Sequence, residues 1–110
     1  MGTIRIADEV IGIIAGLAAS EVSGVVGMSG ASLSDILGRK SPSKGVKVVV
    51  GESEAAIDLY IVVEYGMRLN EVAEAVQDNV RRAVESMTGL AVVEVNVHVQ
   101  GVGVLDPTNL

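Results

Sequence analysis

Three consecutive stretches decide the fold: Ala55–Tyr65 "AAIDLYIVVEY", Met67–Gly89 "MRLNEVAEAVQDNVRRAVESMTG" and Leu90–Val102 "LAVVEVNVHVQGV". In the first, Ile57, Leu59, Ile61 and Val63 alternate with Asp58, Tyr60, Val62 and Glu64. That period of two in β-branched residues predicts a strand with one core face and one mixed face. In the second, Leu69, Val72, Ala73, Val76, Val80, Ala83, Val84 and Met87 recur at spacings of three and four, which makes one apolar helical stripe. Glu71, Glu74, Asp78, Arg81, Arg82 and Glu85 fill the outer face. Asp78 stands four residues before Arg82, the favourable order for a helical pair. Asn70 is placed to cap the start of the helix and Gly89 its end. In the third stretch Val93, Val95, Val97 and Val99 alternate with Glu94, Asn96, His98 and Gln100, which predicts a long strand with a dry face and a wet face.

Upstream, "GVKVVV" (Gly45–Val50) reads as a strand with Val46, Val48 and Val50 on one face and Lys47 and Val49 on the other. "GESEA" (Gly51–Ala55) is a turn that makes a hairpin with the strand after it. "VVGM" (Val25–Met28) is a brief strand, and "TIRI" (Thr3–Ile6) is another. Asp8 is placed as a helix N-cap with Glu9 in the first turn, a helix follows from Glu9 to about Val22, and Gly24 suits its C-cap. The resulting order, β-α-(β)-β-β-α-β, predicts an α+β two-layer sandwich: an antiparallel or mixed sheet of three to five strands with two helices on one face. Residues 1–103 read as a single domain. A flexible, basic loop at about 29–45 interrupts it, and 104–110 read as a disordered tail.

"VIGIIAGLAAS" (Val10–Ser20) has no charge and carries Gly12 and Gly16 four apart, the spacing that brings transmembrane helices together. Its ten residues to Ala19 make about 15 Å of helix, half of the roughly 30 Å of a bilayer's hydrocarbon core, and Glu9 and Glu21 bound it. It is therefore not a span. Val10, Ile14, Leu17 and Ala18 form a second stripe, with Ile11 and Ile13 flanking, so the helix is apolar on more sides than one sheet face covers. The glycines admit close approach to the second helix or the loop, or they present a side to another protein.

The 110 residues carry a formal net charge of −6 and no Cys, Phe or Trp. Disulfides, thiolate metal sites and cysteine nucleophiles are thus excluded, and an acidic domain is a poor default ligand for nucleic acid or anionic lipid. No basic segment followed by a small-residue cleavage site marks a signal peptide. Arg39, Lys40, Lys44 and Lys47 cluster around the loop, either as a solvated surface or as a contact for an acidic partner. There is no G-x-S-x-G, Walker loop or G-x-G-x-x-G, and the acid pairs Glu52/Glu54 and Glu71/Glu74 fall in a turn and on an exposed helix face. His98 is the only histidine. Residues four apart on a strand are about 13 Å apart, so Glu94 and His98 do not hold one metal between them. Asp58 or Glu64 on a neighbouring strand could join His98 and Tyr60 in a small-molecule or metal site, but a histidine on a wet strand face is more often simply solvated. No catalytic residue, cofactor or metal is expected.

The blocks "IRIADEVIGIIAGLAASEVSGVVGM", "KGVKVVV", "IDLYIVVEYGMRLNEVAEAVQDNVRRAVESMTGL" and "VVEVNVHVQGV", in this order and spacing, resemble the alkaline shock protein twenty-three family of bacterial general-stress and envelope stress proteins. The resemblance covers about Thr3 to Val102 and implies a cytoplasmic protein without catalytic activity. Some relatives are held beneath the membrane by a separate anchoring partner, and other paralogues are associated with fatty-acid metabolism. It implies structural roles for Tyr65, Gly66, Gln77, Asn79 and Gly89. The expected function is a non-catalytic stress-response or assembly domain that self-associates or docks a protein, recruited to the inner face of the membrane by that partner. The alternative is a regulator that binds an enzyme of lipid or fatty-acid metabolism. The residues expected to carry the interaction are Gly12, Gly16, Arg39, Lys40, Lys44, Val49, Tyr60, Val62 and His98.

Overall fold

The computed structural model describes residues 1–28 and 45–104. Arg39, Lys40 and Lys44, the loop expected at 29–45 up to residue 44, and the tail from 105 lie outside the described residues. The elements are α1 (Asp8–Ser20), β1 (Val25–Met28), β2 (Val46–Val50), β3 (Glu54–Glu64), α2 (Leu69–Thr88) and β4 (Ala91–Gly103). This is the α+β architecture expected, with one layer of sheet and one of helices.

β3 is the central strand. On one side it pairs antiparallel with β2 through Val46↔Leu59 to Val50↔Ala55, and with β1 through Val25↔Val63 to Met28↔Ile61, so β1 and β2 follow one another along the same edge. On its other side β3 runs parallel to β4 over its whole length, from Glu54↔Ala91 to Glu64↔Gly103. The sheet is therefore mixed. The parallel pair follows from α2, which carries the chain back along the sheet as a β-α-β crossover. At the β2–β3 turn, Gly51 N donates to Glu54 O at 2.8 Å, the hairpin read from "GESEA".

Both helices lie on the same face. There Ile57, Leu59, Ile61 and Val63 of β3 are fully buried against Val72, Val76, Val80 and Val84 of α2 and Ile11, Ala15, Ala18 and Ala19 of α1. α1 lies over β1 and β2, α2 lies over β4, and the helices touch each other. An all-aliphatic core of this kind needs no polar partner, and none of the described buried residues is polar or charged.

Several local expectations are corrected. Thr3–Ile6 is irregular and exposed, not a strand. α1 begins at Asp8 itself, so Asp8 and Glu9 both lie in the first turn. The N-cap is Ala7, without a side-chain bond, and the C-cap is Glu21 rather than Gly24. α2 starts at Leu69 after an uncapped Arg68, which puts Asn70 inside the helix, whereas Gly89 is the left-handed C-cap expected (φ 77°). The alternation in β4 is shifted. Pairing slips between Ala55/Ala56 and again between Ile61/Val62, so β4 carries extra residues there. Val92 and Val95 are consequently the buried pair and Val93 faces out. A bulge inverts the side-chain parity beyond it, which residue types alone do not announce.

Candidate functional site

The face of the sheet opposite the helices is half-open, and it gathers the residues picked out for chemistry. Tyr60 is paired with His98 across β3 and β4, and their rings stack with centroids 4.5 Å apart at 12°. His98 Nε2 lies 3.1 Å from Asp58 Oδ1, one step along β3. Lys47, paired with Asp58 from β2, holds its ammonium 5.7 Å from the Tyr60 ring centre. The parallel register creates this set: it sets two ring residues abreast and leaves a carboxylate diagonal to the imidazole. With His98 and Asp58 about one-third to two-fifths exposed, the pair is screened by water, and such a contact contributes under about 1 kcal/mol.

Glu64 does not join the cluster. It lies four residues along β3 from Tyr60, about 13 Å away. Among the described residues no three of His, Cys, Asp or Glu come together as metal ligands. The arrangement offers one carboxylate, one imidazole and a phenol ring, with the carboxylate and imidazole partly exposed to water.

The remaining outer-face residues extend that surface as an apolar border. Val49 is 70% exposed on β2. At the other end Val62 and Val26 spread over Gly101 and Gly103. A Cβ on Gly103 would meet Val26 Cγ2 at 3.3 Å and Val62 Cγ1 at 3.5 Å, so the "GVGV" run serves to make room for two valines. Tyr60, Val62 and His98 are half-buried, and Val49 stands out beyond them.

A second surface lies on α1. Gly12 and Gly16 are buried along with Ile11, Ala15, Ala18 and Ala19, so the small residues face inward. Val10 (44% exposed) and Leu17 (52%) face out, with Ile13 half-buried between them. A molecule meeting α1 from outside meets these aliphatic side chains and not the glycines. Small residues beside Ile11 on the inner side let the helix axis sit close to the rest of the fold, while Val10 and Leu17 are left at the surface.

Polar side chains tie α2 to its neighbours: Gln77 and Asn79, whose structural roles the resemblance implies, and Glu85, which the sequence places on the outer face. Gln77 Nε2 donates to Val95 O at 3.0 Å, Val92 N donates to Glu85 Oε2 at 2.9 Å, and Asn79 Nδ2 donates to Ala18 O at 2.7 Å. Asn79 also forms part of an open groove of about 500 Å³ between the end of α1 and α2, with Glu21, Val22, Asp78 and Arg82. The groove mixes both signs of charge, and its amide is already engaged with α1.

Comparison with known proteins places this arrangement. A family model described as the alkaline shock protein twenty-three family, with a cell envelope-related function, matches residues 1–104. The protein YqhY of Bacillus subtilis is 41% identical over 105 residues, covering 93% of this chain and 78% of its own length. YloU of the same organism is 42% identical over 111 residues, covering 96% and 92%. A stress response regulator gls24 homolog of Streptococcus pyogenes is 38% identical over 102 residues, covering 89% of this chain and 57% of its own. Among solved structures, a zinc form of the MamM CTD superposes with a TM-score of 0.58 over 91% of each chain at 18% identity, a likeness of fold alone.

Proposed function

The chain belongs to the alkaline shock protein twenty-three family, and from that premise we propose that it is a non-catalytic interaction domain of the cell-envelope stress response. It binds another protein through the outward aliphatic side of α1. The observation that carries this reading is the orientation of α1: Val10 and Leu17 are exposed on one side of the helix, with Ile13 half-buried between them. Single exposed apolar residues are ordinary, but Val10 and Leu17 share one side of one helix with Ile13 between them, and the exposed Ile4 and Ile6 precede them in the chain, an apolar surface of the kind that partners cover. The open sheet face with Val49, Tyr60, Val62 and His98 is a second contact surface, where an aromatic ring beside mixed polar groups suits recognition. No helix among the described residues is long and apolar enough to cross a membrane. In this reading a membrane-held partner brings the domain to the inner face of the envelope.

The test is Leu17→Lys, alone and with Val10→Glu. Both sites are on the surface, so the circular dichroism and melting temperature stay within the range of a surface change, about 0.5 kcal/mol. Capture of the partner from bacterial extracts falls, and the protein moves out of the envelope fraction. A folded double variant that recovers the same proteins from the same fraction overturns the reading.

A further inference from the structure

The groove beside the last turn of α1 is built mostly from hydrogen-bond acceptors. Glu21, Ser23, Asp78, Asn79 and Arg82 line it between the end of α1 and α2. Glu21 and Asp78 bring two exposed carboxylates. Asn79 spends its nitrogen on Ala18 O at 2.7 Å and stands 3.5 Å from Glu21 Oε1, so what the amide leaves over is an oxygen. Arg82 is the one cation of the lining, and its Nε is turned to the main-chain oxygen of Asp78, 3.4 Å away on its own helix. Two carboxylates and an amide oxygen therefore stand against a single guanidinium.

The helix end adds to this balance. A cation at a helix C-terminus is favoured by the dipole and by the carbonyls that the last turn leaves without partners. α1 has no basic residue in its last turn, and its C-cap is an acid, Glu21. Among the described residues no main-chain N–H takes the oxygens of Ser20 or Glu21. The start of α1 is different, because Asp8 and Glu9 already answer the dipole there. Leu17, 52% exposed, lies one helical turn before Glu21, so the aliphatic stripe of α1 runs into the acceptor-rich groove.

We propose that the segment of a partner protein that covers α1 is basic and amphipathic: its aliphatic side chains lie on Val10, Ile13 and Leu17, and a Lys or Arg beyond them enters the groove between Glu21 and Asp78. The proposal rests on the α1 reading and names the chemistry of its partner. Charge complementarity selects the occupant. An acidic segment meets two carboxylates and the negative end of a helix. A purely apolar one strips Glu21 and Asp78 of water without giving them a donor. A cation on an aliphatic stem matches both parts of the surface, since the stem lies along Leu17 while the charged head stays in the open groove. The net charge of −6 works in the same direction at longer range, drawing a basic segment in before it docks.

The test titrates the isotope-labelled full chain with two short synthetic amphipathic peptides, one of Leu and Lys and one with Glu in place of every Lys, and follows the amide signals by NMR. The Lys peptide moves the signals of Leu17 and Glu21 and the side-chain amide of Asn79, and the Glu peptide binds roughly tenfold more weakly. Glu21→Gln with Asp78→Asn, both at exposed positions, keeps the wild-type circular dichroism and weakens the Lys peptide roughly fivefold. Glu52→Gln with Glu54→Gln removes the same charge at the β2–β3 turn and leaves the affinity near wild type. Equal losses in the two pairs mean attraction to net charge alone and overturn the proposal. So do equal affinity for the two peptides, no binding of the Lys peptide, and signals that move at Asp58 and His98 instead of in the groove. Partner capture that fails in Leu17→Lys but is indifferent to Glu21→Gln with Asp78→Asn keeps the α1 reading and overturns this one.

Discussion

Asn79 Nδ2 donates to the main-chain oxygen of Ala18 at 2.7 Å, joining the middle of α2 to the last turn of α1 where that helix runs out of backbone donors. Glu21 N goes to Leu17 O and Val22 N to Ala19 O, so the Ala18 carbonyl is left to the side chain. A helix end pressed against the fold without such a partner loses the solvation of its carbonyl. Asn79→Ala is expected to lower stability by about 1–2 kcal/mol. The measurement is urea unfolding, with the midpoint lowered and the slope unchanged. A loss below about 0.3 kcal/mol would mean that water replaces the amide.

Gly24 takes φ +100°, and a Cβ there would lie 2.9 Å from both Met67 Cε and Val72 Cγ2. Met67 has a flexible end, but Val72 is buried in the core and has no room to retreat. Backbone strain and overlap act together, so Gly24→Ala is expected to cost about 1–3 kcal/mol. In a domain of this size that is a fall of several degrees in melting temperature, roughly 4–8 °C per kcal/mol. Gly27→Ala is the control. Its added carbon meets nothing within 4 Å, and its melting temperature stays near wild type.

How much of this was legible depended on whether the pattern crossed a bulge. The alternation of Ile57 to Val63 reads through β3 without interruption, and the stripe of Val72, Val76, Val80 and Val84 fixes the buried side of α2, because charged residues mark the other side. β4 misled at Val93, since the slips that reverse its parity arise from pairing with β3. α1 could not be oriented at all. Gly, Ala, Val, Ile and Leu are all apolar, and only packing decides that Gly12 and Gly16 go inward and Leu17 outward. Asp58, Tyr60 and His98 were visible as wet-face residues, but their contact depends on the parallel register that α2 imposes. Glu85 looks like a solvated helix position, and Gln77 and Asn79 gain structural roles only through the family resemblance, because a polar residue on a flank carries no sign of the backbone group it will reach.

The Tyr60–His98 stack is expected to appear in a double-mutant cycle. Aromatic pairs add about 0.5–1.5 kcal/mol beyond the area they bury, and half-exposed rings belong at the lower end. The coupling between Tyr60→Ala and His98→Ala is expected at about 0.5 kcal/mol, with Asp58→Ala coupled to His98→Ala more weakly because water screens that pair. Equilibrium unfolding of the variants gives both numbers. A vanishing Tyr60–His98 coupling would mean that the rings lie together without attraction.

Amide exchange along β4 gives the sharpest view of its edge. Asn96 and His98 turn their N–H groups toward β3 and exchange slowly. Val97 and Val99 turn theirs outward and exchange faster. Val92 is the outward residue with a guard, since its N–H is held by Glu85 at 2.9 Å. Glu85→Ala is therefore expected to speed Val92 exchange several-fold and leave Asn96 and His98 unchanged. A Val92 exchange rate unchanged in Glu85→Ala would mean that the carboxylate does not guard this N–H.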